Sequence, residues 1–191
     1  MGAAREVGGA AATAPRSALG RRLVEIGIGA ALVSLAAQVA VPVPFSPVPM
    51  TLQPLAVLAV GGLLGAAAGV AALVTYLALG MLGLPVFAAG SSGILHLMGP
   101  TGGYLLAFPV AAGAVGALVG RSAGVLRVLL AGALGMVVIH AGGVAQLALL
   151  GGDPSIAFRV GFVPFLTGDL LKVGLAAAAI LGLRPKVRGA H

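Results

Sequence analysis

The sequence predicts an all-α membrane protein, a bundle of six transmembrane helices with both termini in the cytoplasm. Three observations carry that reading. Only 8% of the 191 residues are charged, against about a quarter in a soluble domain. No Asp, Glu, Lys or Arg occurs from Ile26 to Gly120, and no water-soluble surface can be built from such a stretch. The cations that do occur fall into groups that decide how often the chain crosses. Soluble enzymes and disordered chains are thereby excluded. The Ala/Leu/Val/Gly runs also lack the alternating segments of about ten residues that a β-barrel needs. With no cysteine in the chain, disulfides, thiol catalysis and iron–sulfur clusters are out. The net charge of +7 comes without a basic patch interleaved with aromatics, and only 4% of residues are aromatic, so it reads as topogenic charge and nucleic acid is not expected as a partner.

Each element follows in order. Residues 1–20, rich in Ala and Gly with Arg5, Glu6 and Arg16, read as a disordered cytoplasmic tail, because no long apolar run with a small-residue cleavage site appears. A membrane domain over 21–185 follows, then a cytoplasmic tail over 186–191. The first span is Leu23–Val41, ended by the Pro-rich run 42–49, which cannot continue a helix. Thr51–Met81 is too long for one ordinary span and too short for two of about 20 residues. A Gly/Pro/Ser-rich connection, Leu82–Gly102, leads to a span at Gly103–Gly120. Arg121 and Arg127 flank a basic turn before a span at Val128–Leu150. A short polar loop with Asp153, Pro154 and Arg159 precedes the last span, Phe162–Leu183.

Charge decides the ambiguous stretch. If Thr51–Met81 were one helix, the Arg121/Arg127 turn and the tail with Arg184, Lys186 and Arg188 would lie outside. Two short helices turning at Gly65–Gly69 bring both inside. Four cations before the first span, two in the turn and three in the tail then make nine of the 11 cytoplasmic. The short second and third helices must tilt, thin the bilayer or shelter within the bundle. In this topology the irregular connections 42–50, 82–102 and 151–161 open outward, which is where a ligand site is sought.

Two charges resist a topogenic role. Asp169 and Lys172 lie i,i+3 on one face of the last span, where each charge costs roughly 2.5–3.5 kcal/mol on insertion scales. They read as a polar ligand site or ion pathway, with an ion pair that fixes helix packing as the plain alternative. Gln53 opens the second helix beside the Pro-rich loop. His96 lies in an outer connection and His140 in the fifth span. Neither has a His or carboxylate at i+3 or i+4, so no metal site is expected. Ser91 or Ser92 with His96 and Asp169 has the composition of a catalytic triad without a spacing that supports one. Gly99–Tyr104 (GPTGGY) resembles a phosphate loop in composition only. Its content is a tight turn with close backbone approach, then Tyr104 with its polar tip at the interface. On the first helix, small residues recur at intervals of four: Gly27/Ala31, Ala30/Ser34 and Ala36/Ala40. That spacing lets another helix approach closely.

Taken together, PVPMTLQ at 47–53, GLPVF at 83–87, GPTGGY at 99–104 with Pro109 five residues on, and GDLLK at 168–172 resemble the BioY family. Its members are the biotin-binding S components of energy-coupling factor (ECF) transporters. The resemblance covers roughly residues 20–185. It implies an S component in a bacterial or archaeal cell membrane that captures biotin from outside with high affinity and catalyses no bond chemistry. It implies docking on a transmembrane coupling subunit through small residues of the first helix (Gly27, Ala30, Ala31 and Ser34), with two ABC-type ATPases supplying energy. A site of Asp169, Lys172, Tyr104, Gly102, Gly103, Gln53, Ser91 and Ser92 is implied, under a lid carrying Pro42, Pro44, Phe45, Pro47 and Pro49. Asp169 would accept from the ureido N–H groups, and Lys172 would donate to the ureido carbonyl or the carboxylate. No cofactor is implied, biotin being the cargo. One departure stands out. The family usually carries a polar residue, often Asn, after Pro-Val-Phe. Here the run is Ala88-Ala89-Gly90-Ser91-Ser92, leaving the serines as substitutes or the affinity lower. A solitary biotin transporter, an intramembrane enzyme using Asp169 and a proton channel are the competing readings.

Overall fold

The computed structural model describes residues 14–120 and 123–183. Helix α1 runs over Ala14–Gln38, so it begins within the segment expected as tail. Residues 1–13, Arg121 and the C-terminal tail at 186–191 lie outside the described residues. Leu23, Val24, Ile28 and Leu35 project outward from α1 while Ala30, Val33 and Ala37 face inward. This is the arrangement of a helix whose outer surface meets lipid rather than water. Two short strands, β1 at Ala40–Val41 and β2 at Met50–Thr51, pair antiparallel with Ala40 opposite Thr51. They pinch the base of the Pro-rich loop and hold it over the bundle.

Thr51–Met81 does break into two helices, α2 at Gln53–Leu64 and α3 at Ala66–Met81. The break is Gly65, whose φ of +80° is a backbone conformation that side chains rarely adopt. At ~1.5 Å per residue, α2 reaches only about 18 Å, short of a hydrocarbon core of about 30 Å. Of the three remedies open to a short span, the structure shows shelter: Ala56 to Val60 are all buried. Helix α4 (Gly102–Val119) packs against α2, α3 and α5. Helix α5 covers Val125–Gly151.

The expected polar loop at 151–161 is mostly a helix, α6 at Pro154–Gly161. Asp153 caps it, accepting from Ser155 N–H at 2.8 Å and Ile156 N–H at 3.2 Å. Pro154 fits the first helical position because its missing N–H would be unpaired there anyway. A 3₁₀ turn at Val163–Phe165 leads into α7, Leu166–Leu183. The segments 102–119, 125–151 and 154–183 are long and apolar enough to cross a membrane, and α2 and α3 are shorter apolar helices. The core has two parts. One gathers around Leu58, Val115, Val128 and Ile180, the other around Tyr76, Phe87, Tyr104 and Phe108. The second part surrounds a cavity.

Candidate functional site

The cavity lies where the start of α2, the first half of α4, the later half of α5 and the start of α7 converge. About 50 Å³ of its interior is free for a water-sized sphere, and about 540 Å³ is empty when the open space at its mouth is included. Leu105, Phe108, Ile139 and Phe165 supply apolar wall, and Val48 and Pro49 of the Pro-rich loop cover it.

One corner is charged. Asp169 sits in the first turn of α7, where the helix N-terminus favours an anion. Lys172 Nζ donates to its Oδ1 at 3.1 Å, as the i,i+3 spacing requires. His140 Nε2 from α5 lies 2.6 Å from Oδ2. Asp169, Lys172 and His140 are 6%, 5% and 6% exposed. Polar groups buried to this degree need partners, and each has one. The other face of His140 is equally engaged. Nδ1 lies 3.2 Å from the Gly161 carbonyl, which also accepts from Tyr104 OH at 2.6 Å. The rings of Tyr104, Phe162 and Phe165 surround the imidazole.

A neutral polar set joins β2, α2 and α3. Thr51 Oγ1 donates to Gln53 Oε1 at 3.1 Å, and Gln53 Nε2 donates to Tyr76 OH at 2.6 Å. His96 closes another side, with Nε2 3.1 Å from Thr101 Oγ1 and 3.4 Å from Ser91 Oγ. Its ring stacks on Phe87, and burial lowers its pKa from the ordinary 6.5. Asp153, exposed on the cap of α6, is held below the usual carboxylate range by the Ile156 and Ser155 N–H groups.

Of the residues singled out from sequence, Asp169, Lys172, Tyr104 and Gln53 line the cavity. Ser91 and Ser92 do not. Ser91 donates to the Ala88 carbonyl at 2.7 Å and reaches the cavity only through His96, while Ser92 is exposed. Gly102 and Gly103 act at one remove. A Cβ on Gly103 would overlap the Gly142 backbone, and one on Gly102 the Leu97 carbonyl, so both let α4 press against its neighbours. Gln146 fastens the same block, donating to Leu97 O at 2.9 Å and Gly99 O at 2.6 Å. Within the lid, Pro49 faces the cavity, Pro42, Pro44 and Pro47 face outward, and Phe45 is 90% exposed. On α1 the small-residue face divides. Gly27 and Ala31 are exposed and Ser34 is half-buried, its hydroxyl donating to Ala30 O. Ala30 is 2% exposed and packs inside the bundle, so it does not belong to an outward docking face.

The sequence reading missed His140 as a site residue because it looked for partners along one helix. The partner, Asp169, comes from another. An ionisable residue in an otherwise apolar span is itself a signal. The expected composition of Ser, His and Asp is present but split: Ser91 meets His96, and Asp169 meets His140. Among the described residues, no three His, Cys, Asp or Glu are placed to hold a metal ion.

Residues 11–189 match the sequence model of the BioY family. The chain belongs to the BioY family. A BioY relative from Thermotoga maritima, named biotin transporter BioY, is 40% identical over 166 residues, covering 87% of this chain and 96% of that one. A Pyrococcus horikoshii relative, named probable biotin transporter BioY, is 40% identical over 146 residues, 76% of this chain and 85% of that one. The fold matches a crystal structure of the S-component for biotin from an ECF-type ABC transporter. The TM-score is 0.82 at 26% identity, covering 88% of this chain and 93% of that one. The chain is thus a multi-pass membrane protein of the BioY transporter family and not an enzyme.

Proposed function

We propose that the chain binds biotin in this cavity from outside the cell and delivers it inward as the S component of an ECF transporter. ATP is hydrolysed by partner subunits. The observation that carries the reading is the Asp169–Lys172 pair at one corner of a cavity that has both apolar wall and neutral polar groups and is roofed by Val48 and Pro49. Biotin has matching chemistry. Its ureido group offers two N–H donors and a carbonyl, and its thiolane ring and valeryl chain are apolar. Asp169 accepts from ureido N–H, and Lys172 donates to the ureido carbonyl or the carboxylate. Leu105, Phe108, Ile139 and Phe165 cover the rest. The cavity draws on the start of α2, α4 and α7 and the later half of α5, the ends away from Arg21, Arg22 and Arg127. With those cations inside, the cavity opens outward. Gly27 and Ala31 present a small-residue surface for a coupling subunit.

Equilibrium binding of labelled biotin to the purified chain tests the reading, with uptake by cells carrying or lacking the coupling subunit and ATPases. One biotin per chain, and uptake only with the partners, is expected. A folded chain that binds no biotin overturns the proposal, and full uptake without partners replaces the ECF role with solitary transport.

A further inference from the structure

The neutral polar groups of the cavity differ in what they can still offer a ligand. Tyr104 OH is spent on the Gly161 carbonyl, and Thr51, Gln53 and Tyr76 bond one another. His96 and Thr101 are different. Both line the cavity, both are half-buried, and neither lies on the helix that carries Asp169 and Lys172. The imidazole is held in place. It stacks on Phe87 with 5.4 Å between ring centroids, and its Nε2 lies 3.1 Å from Thr101 Oγ1 and 3.4 Å from Ser91 Oγ. Ser91 spends its own hydroxyl proton on the Ala88 carbonyl, so it can only accept from the ring. Nδ1 has no protein partner among the described residues. Desolvation holds the His96 pKa below 6.5, so the ring is mostly uncharged at about pH 7.5. A neutral His96 and Thr101 carry two exchangeable side-chain protons, one N–H and one O–H, and the bond between them uses one. If Nε2 is protonated, it donates to Thr101 and the Thr101 hydroxyl proton is free. If Nδ1 is protonated, Thr101 donates to Nε2 and the Nδ1 proton is free. Either tautomer leaves the pair one donor.

We propose that His96 and Thr101 form a second recognition point of the cavity, which binds the ligand's carboxylate while Asp169 and Lys172 hold its ureido ring. The inference rests on the reading of the cavity as a biotin site and adds which end of the ligand goes where. Ionised Asp169 only accepts hydrogen bonds, and the ureido group carries the only N–H donors of biotin. That places the ureido ring at the α7 corner, with Lys172 at its carbonyl. The carboxylate, at the far end of an apolar chain, then needs a donor away from that corner. It too only accepts, and the free donor of the His96–Thr101 pair complements it. An uncharged donor costs less to bury than a further cation and still makes a charge-assisted bond to the ligand. Phe87 and Ser91 are positioning residues for this contact, since both hold the imidazole and neither lines the cavity. The pair also sets specificity: a ligand that keeps the ureido ring and lacks the carboxylate forfeits this bond.

The test is a cycle of two ligands on two proteins, read by titration calorimetry of the full chain at about pH 7.5. The ligands are biotin and biotinol, in which a CH₂OH group replaces the carboxylate and the ureido ring is unchanged. The proteins are the wild type and His96→Leu/Thr101→Val, which removes both donors at little change in size. The wild type should bind biotin more tightly than biotinol. In the double variant biotin should weaken by about ten- to a hundredfold and biotinol much less, so that most of the preference disappears. Equal weakening of both ligands would assign the pair to the shape of the cavity alone and overturn the inference. Unchanged biotin affinity in the double variant overturns it as well, and so does a wild type that binds both ligands alike. A folded wild type that binds no biotin overturns the functional reading beneath it. Should the double variant not fold, ring-¹⁵N-labelled histidine in the wild type decides, with the His96 signals assigned through His96→Asn. A change in those signals with biotin that biotinol does not reproduce supports the proposal. Signals that are the same with both ligands overturn it.

Discussion

His96 and Ala89 show how single residues set the condition of the outer loop. The half-buried His96 imidazole has its pKa below the ordinary 6.5, lowered by desolvation. An unfolded chain therefore binds more protons than the folded one in mild acid. The stability tied to this residue is present above pH 6.5 and is lost as the pH falls through the lower folded value. The melting temperature should drop more steeply between about pH 6.5 and 5 in the wild type than in His96→Asn, and parallel curves would refute this. Ala89 carries φ 53° and ψ 36°, a left-handed conformation that Asn and Gly tolerate better than Ala. Ala89→Asn should stabilise the protein by about 1 kcal/mol, read as a raised melting temperature. It also returns an Asn to the loop where this chain lacks one. The Asp169–Lys172 pair was legible from residues alone because i,i+3 spacing is local. His140 and the Tyr104–Gly161 bond were not, since both join elements far apart in sequence.

At the scale of elements, α1 has two faces with separate roles. Ala30 packs inward and Ala31 outward. Ala31→Trp should fold, bind biotin with unchanged affinity and lose uptake in cells that hold all partner subunits, because the bulky ring blocks close helix approach. Ala30→Trp should instead overpack the core and lower stability by about 1–3 kcal/mol. Uptake unaffected by Ala31→Trp would show that α1 is not the docking surface. Small-residue spacing predicted a close approach but not which face would be free, because Ala and Gly serve internal and external packing equally well. Helix α6 was missed for a different reason. Asp153-Pro154 is an N-cap followed by a favoured first residue, yet the charges of Asp153 and Arg159 made the segment read as loop.

For the whole molecule, composition and charge grouping decided the class and the number of spans. The break at Gly65 confirms the two short helices that the positive-inside argument required. The topology itself has a direct check, since the chain has no native cysteine. Cysteine at Phe45 should react with an impermeant thiol reagent added to whole cells, and cysteine at Gly124 should not. Labelling of position 124 from outside would invert the orientation. The cavity needed the structure, because its walls come from four helices and two connections whose mutual placement no local pattern states. That Asp169 and Lys172 recognise biotin is the central claim, and the doubly substituted Asp169→Asn/Lys172→Met protein tests it most directly. Removing both charges leaves neither buried alone, so the variant should retain a near-normal melting temperature. Its biotin affinity should fall by about 2–5 kcal/mol, roughly 30- to several-thousand-fold in Kd. A well-folded double variant that binds biotin as tightly as the wild type would contradict the account.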